Sequence, residues 1–345
     1  MLARTEAQIL MALAQLGSAS WARLVDAQDG SLPEFHAALE ALRSQGSIAA
    51  GPDGIGLTPA GRERIATLVE TPPLGLQCRE CQSKGYVVLA DDPRLRSLEQ
   101  MLEGRPGPNL DYDQGAITPA DALLRAAFME ERGDLYGAHI LFIGDFDLIS
   151  LALALTRLPA RIVVLDIDER VIRFVNEAAR QADLRLEARK FDVRDPVPEP
   201  LLQQFDVFVC DPVETVAGIR LYLSRGCSGL RGAGSAAYIG LTTLEASRKK
   251  WYDVQGLLYE MGFAITDIRR KFSGYPDHDE MPSDQTYTYP ILEQMAGQKI
   301  GHRWYTSAFL RAEAVRAPAH LVTGRAELGD DLYVDDEAWA TPRRS

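Results

Sequence analysis

The sequence predicts a doubly wound α/β domain preceded by a small helical module, and three observations carry that prediction. From residue 116 onward, short apolar runs rich in β-branched residues alternate with helix-length segments. The first run ends in a lone glycine followed by acids, Ile143-Gly144-Asp145-Phe146-Asp147, and later runs end in Asp166 and Asp211. The 345 residues, 46% apolar and 25% charged, suit roughly two domains and a core that needs no disulfide or metal staples.

Residues 1–70 read as the helical module. Thr5 caps a helix through Leu16, and a second short helix fits Ser20 to Ala27. Ser31-Leu-Pro-Glu34 has capping-box spacing with Pro near the first turn, where a missing N–H costs nothing, and Phe35, Leu39 and Leu42 fall on one face. Ser47–Ala50 and Ile55–Leu57 flank Pro52-Asp-Gly54 as a small hairpin, and Thr58-Pro59 begins another helix. Three helices followed by a hairpin is the winged-helix pattern. Its five basic residues against eight acidic ones give it little with which to neutralise a phosphate backbone, so dimerisation or covering a substrate is favoured over DNA binding.

Residues 71–115 read as a connector marked by Thr-Pro-Pro73 and Arg-Pro-Gly-Pro108. It contains Cys78-Arg-Glu-Cys81. A structural zinc site needs four ligands and no second pair exists, so no metal is expected, with Cys78 and Cys81 the one candidate pair. The α/β domain then spans 116–325. A helix runs from Thr118-Pro119 to Arg132. Strands are expected at His139–Ile143, Ile162–Leu165, Leu186–Phe191, Val207–Cys210, Ser235–Leu241 and Phe263–Ile268. Helices are expected between them at Leu148–Leu158, Glu169–Ala182, Val213–Ser224 and Glu245–Met261. The strongly acidic stretch 326–345 is expected to be a mobile tail.

The charge balance, 37 basic against 49 acidic residues, disfavours nucleic acid and favours a cationic ligand. No apolar stretch approaches the ~20 residues of a membrane span. The first residues lack the pattern of a secretion signal, so a cytoplasmic location is expected, with no membrane and no nucleic-acid partner.

Ligands of doubly wound sheets bind at the carboxyl ends of the strands, so the residues there carry the chemistry. Gly144 lets the backbone approach a ligand, but a pyrophosphate cradle needs a GxGxxG run that is missing. Asp145 and Asp147 instead suit a sulfonium or an ammonium, against the competing reading of Asp147 as a helix cap. Asp166, about 20 residues beyond Gly144, has the spacing of an acid that accepts ribose hydroxyls, while Asp168 caps the following helix. Asp192 is placed to meet a base edge. Asp211, held before Pro212, faces the reacting centre and can hold an amine or accept its proton. In the Asp211-Pro-Val-Glu214 run Glu214 is a substrate-binding candidate, while Cys210 reads as core. Asp111-Tyr-Asp-Gln114 can close over the site, Asp113 toward substrate and Gln114 toward the nucleoside. Ser273–Glu280 adds Tyr275 and Asp277 for a cationic chain.

Together these residues resemble the branched-chain polyamine synthases, the bis(aminopropyl)spermidine synthases, over nearly the whole chain. The likeness rests on the winged-helix-like start, the single CxxC, Glu131-Arg-Gly-Asp-Leu135, Gly144-Asp-Phe-Asp147 and Asp211-Pro-Val-Glu-Thr215. Gly240-Leu-Thr-Thr-Leu-Glu-Ala-Ser247, the stretch on to Trp251 and the acidic tail complete it. The family's Gly-Asp-Asp-Asp motif is matched except at Phe146, and its Asp-Pro-Pro-Glu motif except at Val213.

The resemblance implies a Rossmann-like catalytic domain and a homodimer. It implies aminopropyl transfer from decarboxylated S-adenosylmethionine, a co-substrate rather than a tightly bound cofactor, to a secondary amine of spermidine, with methylthioadenosine leaving. Similarity to the linear spermidine synthases further implies ribose at Asp166, adenine at Asp192 and the amine at Asp211. The attacking nitrogen must lose its proton first, and Asp211 or Asp147 is expected to take it, with water relaying. An S-adenosylmethionine-dependent methyltransferase is the alternative, disfavoured because Asp145 and Asp147 would repel the carboxylate of the intact cofactor. A winged-helix regulator is the other, disfavoured by the acidic first module.

Overall fold

The computed structural model describes residues 4–28, 30–51, 54–66, 84–276 and 304–338. The N-terminal module comprises α1 (Arg4–Leu16), β1 (Ser18–Ala19), α2 (Trp21–Asp26), α3 (Leu32–Ser44), β2 (Ile48–Gly51), β3 (Gly54–Leu57) and α4 (Pro59–Ala66). Ser31 and Glu34 form the expected capping box: the Ser31 amide donates to Glu34 Oε2 at 2.6 Å, and the Glu34 amide to Ser31 Oγ at 3.4 Å. The hairpin gains a third strand that the sequence did not announce, giving the order β1-β3-β2. Two residues are too few for any periodicity to register.

The module is fastened to the rest of the chain. Trp21 meets Trp304 edge-on with ring centroids 4.8 Å apart, and the Leu32 amide donates to the Leu244 carbonyl at 2.8 Å. Their side chains belong to a single buried cluster.

The expected connector carries a helix, α5 (Pro93–Met101), which packs Leu95 and Leu98 inward. Its signal was present: Asp92 caps it through the Arg94 amide at 2.8 Å, and Pro93 occupies the first turn. The α/β domain continues with α6 (Pro119–Glu131), β4 (His139–Ile143), α7 (Ile149–Leu155), β5 (Arg161–Asp166), α8 (Glu169–Gln181) and β6 (Leu186–Lys190). It ends with β7 (Val207–Cys210), α9 (Val216–Gly229), β8 (Ala236–Thr242), α10 (Arg248–Met261), β9 (Phe263–Gly274) and β10 (Thr306–Ala314).

The seven-stranded sheet has the order β6-β5-β4-β7-β8-β10-β9. Its first five strands are parallel, while β10 runs antiparallel to both neighbours. From β4 the chain winds outward through β5 and β6, then returns to β7 on the other side. That reversal opens a crevice beyond the carboxyl ends of β4 and β7. Alternate residues of the strands feed opposite faces, as a pleat requires. Ile140, Phe142 and Val164 pack with α6, α7 and α8 residues, while Leu141, Ile143 and Val163 pack with those of α9 and α10.

Two further expectations are corrected. The segment after α10 is not a six-residue strand but a twelve-residue one, paired along its length with β10, which the sequence reading lacked. The acidic tail, read from composition as solvated chain, packs against the domain through its described residues up to 338. Thr215 Oγ1 donates to the Leu332 carbonyl at 2.9 Å, Lys250 pairs with Asp335 at 2.7 Å, and Ser247 donates to Glu337 from its amide and hydroxyl at 2.7 and 2.6 Å.

Close packing yields a pair of opposite-signed predictions. A Cβ on Gly226 in α9 would lie 2.4 Å from the Phe208 ring, so Gly226→Ala should cost about 1–3 kcal/mol by overpacking. Gly256 in α10 faces open space, and Gly256→Ala should add roughly 0.5–1 kcal/mol by helix propensity. Thermal melts of the two variants should move in opposite directions.

Candidate active site

The loop after β4 is built by its acids. Gly144 takes φ +73°, a left-handed turn natural to glycine. Asp145 lies beneath this turn, buried, and its carboxylate accepts the Ile149 amide at 2.9 Å and the Ser150 amide at 3.3 Å at the start of α7. The expectation that Asp145 faces a cationic ligand therefore needs correcting: its oxygens hold a helix terminus. Burial pushes its carboxyl well above the usual range, and the nearby Asp147 and Asp166 add to the shift.

Asp166 ends β5 and is likewise occupied by the backbone. It accepts the Asp145 amide at 3.0 Å on Oδ2 and the Asp168 amide at 2.8 Å on Oδ1. Asp168 caps α8 as expected, accepting the Arg170 amide at 2.9 Å. It also accepts Gln114 Nε2 at 3.1 Å, and Gln114 in turn receives the Asn109 amide at 2.8 Å. The loop before α6 is thereby tied to the end of β5. Asp192 is half-buried and held by Arg194 through a bidentate pair, which keeps its carboxyl below the usual range.

Asp147 differs from these. Its Oδ1 accepts the Ile117 amide at 2.8 Å, but Oδ2 is buried with no hydrogen-bond partner among the described residues. Burial first, then the neighbouring Asp211, push its carboxyl up to about 7, against the opposing pull of Arg125. Asp211, at the end of β7, receives Arg125 Nη1 on Oδ2 at 2.7 Å and Nη2 on Oδ1 at 2.9 Å. Tyr275 Oη lies 3.5 Å from Asp211 Oδ1 and donates to Ser307 at 3.2 Å. Asp147, Asp211 and Tyr275 are thus brought together.

A second group of acids lies beyond the carboxyl ends of β7 and β8. Glu214 accepts the Thr242 amide and hydroxyl, each at 2.6 Å. Burial and the nearby Asp113 push its carboxyl up to about 7, against the Thr242 bonds and Lys250. Glu245 is buried, receives the Tyr305 hydroxyl, and is pushed well upward by burial and by Asp113 and Glu214. Lys250 donates to the Glu214 carbonyl at 2.7 Å, the Glu245 carbonyl at 2.9 Å and Asp335 Oδ1 at 2.9 Å. Asp113, Glu214 and Glu245 therefore share one electrostatic neighbourhood beside the tail.

Sequence reasoning missed Arg125 and Glu245. Arg125 stands out in Ala122-Leu-Leu-Arg-Ala-Ala-Phe128 as a lone charge inside an apolar helical run, the available signal. Phe146, where the family pattern has an acid, is buried under the Arg105 guanidinium, 5.0 Å from its ring centroid, and belongs to the apolar core. Val213, the other departure, is also core. Asp277, Cys78 and Cys81 lie outside the described residues.

Residues 94–340 match the family described as the branched-chain polyamine synthase A C-terminal domain. The chain belongs to the branched-chain polyamine synthases. Among its relatives is the N(4)-bis(aminopropyl)spermidine synthase of Thermococcus kodakarensis, 34% identical over 98% of this chain and 95% of that protein. The enzyme of the same name from Thermus thermophilus is 40% identical over 80% of this chain and 79% of its own length. The branched-chain polyamine synthase of Thermus thermophilus, crystallised with N4-aminopropylspermidine and 5'-methylthioadenosine, superposes with a TM-score of 0.81. It shares 32% identity and covers 97% of this chain and 93% of its own.

The turn-building role of Asp145 is testable. Asp145→Asn keeps an acceptor for the α7 amides, whereas Asp145→Ala leaves them without one. The alanine variant should lose about 0.5–2 kcal/mol more than the asparagine variant in denaturant melts.

Proposed function

We propose that this chain transfers the aminopropyl group of decarboxylated S-adenosylmethionine to the secondary amine of spermidine, giving a branched polyamine and methylthioadenosine. Family membership supports the reaction class. The observation that carries the site assignment is Asp147 Oδ2, a buried carboxylate oxygen with no hydrogen bond among the described residues, beside an Asp211 already held by a guanidinium.

The reaction needs an amine with a free lone pair. Spermidine arrives protonated, so a proton must leave the attacking nitrogen before the carbon–sulfur bond breaks. Asp147 is the acceptor in this reading. The freed nitrogen attacks the methylene next to the sulfonium. The electrons of the carbon–sulfur bond return to sulfur, which leaves as a neutral thioether. A second addition meets the same demand, because a tertiary amine is also protonated in water.

Asp211 and Tyr275 hold the reacting amine in line, and Asp113, Glu214 and Glu245 receive the far ammonium groups. The nucleoside lies over Gly144, with Asp166, Asp168 and Gln114 at the ribose and Asp192 at the base. An intact S-adenosylmethionine would bring its carboxylate toward Asp147 and Asp211, which disfavours methyl transfer. The N-terminal module, read as winged-helix-like, closes one side of the crevice through Leu32 and Trp21. The domain division 1–70, 71–115, 116–325 and 326–345, a homodimer and a cytoplasmic location belong to the same reading. Among the described residues no helix is long and apolar enough to cross a membrane.

Purified protein incubated with decarboxylated S-adenosylmethionine and spermidine should yield methylthioadenosine and spermidine carrying one or two aminopropyl groups on its internal nitrogen, read by fragmentation mass spectrometry. Methyl transfer from intact S-adenosylmethionine instead would overturn the proposal. Asp147→Asn should lower kcat by about 10²–10⁴-fold with the product pattern unchanged. Because a base works only when deprotonated, kcat/KM should rise with pH through about 7, the value to which Asp147 is raised. A flat profile between pH 6 and 8 would remove Asp147 from that role.

A further inference from the structure

We propose that Arg125 of α6 is the positioning residue of this site: it locks Asp211 in one orientation and keeps Asp147 free to accept the proton. The proposal rests on the reading of Asp147 as base. Arg125 is fully buried and has no contact with solvent. Four of its five N–H groups have acceptors. Nε donates to Ser273 of β9 at 2.8 Å, Nη1 and Nη2 to the two oxygens of Asp211, and Nη2 also to Ser307 of β10 at 3.2 Å. Its plane lies over the Phe309 ring, 4.4 Å from the centroid. Asp147 Oδ2 stands 3.8 Å from Nη1, near enough for attraction and too far for a hydrogen bond.

This geometry separates two carboxylates that are otherwise alike. Asp211 receives a rigid fork on both oxygens, which fixes its aim. Asp147 receives the field of the same cation without a bond, so one oxygen stays open. Gly240 of β8 makes room for the pair, since a Cβ there would fall 1.8 Å from Asp211 Oδ1. An ion pair between a fully buried guanidinium and a half-buried carboxylate adds little net stability, so orientation is what it supplies in this proposal. Burial opposes the charge on Arg125, but Asp211, Tyr275 and Asp147 together outweigh it and hold the guanidinium protonated.

The groups facing Asp147 come from several elements. They are Asp211 beyond β7, Arg125 on α6, Arg105 beyond α5, the Ile117 amide before α6, Tyr275 beyond β9, and Asp145 on its own loop. Without Arg125, Asp147 loses its nearest cation and faces Asp211 unscreened. Its deprotonation then moves to higher pH.

The test compares Arg125→Lys, Arg125→Met and Gly240→Ala with the wild type, using the pH profile of kcat/KM and, as a count of folded sites, methylthioadenosine binding by calorimetry. Arg125→Lys keeps the charge and loses the fork. It should lower kcat about 10²-fold, with methylthioadenosine affinity within threefold and the acid limb near its original pH. Arg125→Met should also shift the acid limb upward by about one pH unit, a tenfold change in proton affinity. Gly240→Ala should mimic the lysine variant by displacing Asp211 from the other side. If Arg125→Met does not fold, the other two variants carry the test. Wild-type kcat per folded site in Arg125→Lys and Gly240→Ala would overturn the proposal and leave Arg125 as a brace for α6. An active Asp147→Asn enzyme would overturn the base assignment instead, whatever the Arg125 variants do.

Discussion

The site depends on one constraint: several buried and half-buried carboxylates must share the carboxyl end of a parallel sheet without all being charged and unpaired. Burying a lone anion costs several kcal/mol, so each acid at these strand ends needs a donor or a proton. Backbone amides serve Asp145 and Asp166, Arg194 serves Asp192, and Arg125 serves Asp211. Asp147 is only half served, by the Ile117 amide on one oxygen. The remaining oxygen is buried without a hydrogen-bond partner among the described residues and the carboxyl's proton affinity is raised, which is the property the proposed role as base draws on.

Two kinds of acid therefore stand side by side. Asp145, Asp166 and Asp168 build the turns that let β4 and β5 end where they do. Their geometry is inseparable from the fold, since each accepts an amide at the start of a helix or turn. Asp147 and Asp211 lie one step further out, where Arg125, Ser273 and Ser307 reach in from α6, β9 and β10. The antiparallel pair β9 and β10 is thus more than an edge extension. It supplies the hydroxyls and Phe309 that fix the guanidinium, and through Tyr275 it returns to Asp211.

Much of this was legible in the sequence. The parallel core followed from apolar runs separated by helices, and strands such as His139–Ile143 and Val207–Cys210 were located to the residue. The acids at the strand ends were found because position in a doubly wound sheet implies access to a ligand. What each acid does there was less legible. Asp145 and Asp147 are two residues apart with the same side chain, and only the path of the turn sends one under α7 and the other toward Asp211. Arg125 escaped notice because its partners lie 86, 148 and 182 residues away in the chain, beyond any local pattern. The tail escaped for a similar reason. Acidic composition suggests a solvated chain, but the buried Lys250 and the half-buried Ser247 provide partners that composition cannot reveal.

The formal charge of −12 is a poor guide to how this protein meets a polycation. Several exposed acids are neutralised locally, as in Glu177 with Arg180 and Glu169 with Lys190, and such pairs contribute little beyond solubility. What distinguishes this end of the sheet is that Glu214, Glu245 and Asp147 are raised by burial and then by neighbouring acids, Asp113 for the first two and Asp211 for the third, so their charge depends on their surroundings. An ammonium entering the crevice would stabilise their ionised forms and release protons as it binds. Binding and deprotonation then become one coupled event. An amine that has to be held by its far ends as a cation and attacked through a neutral nitrogen needs both from the same set of carboxylates.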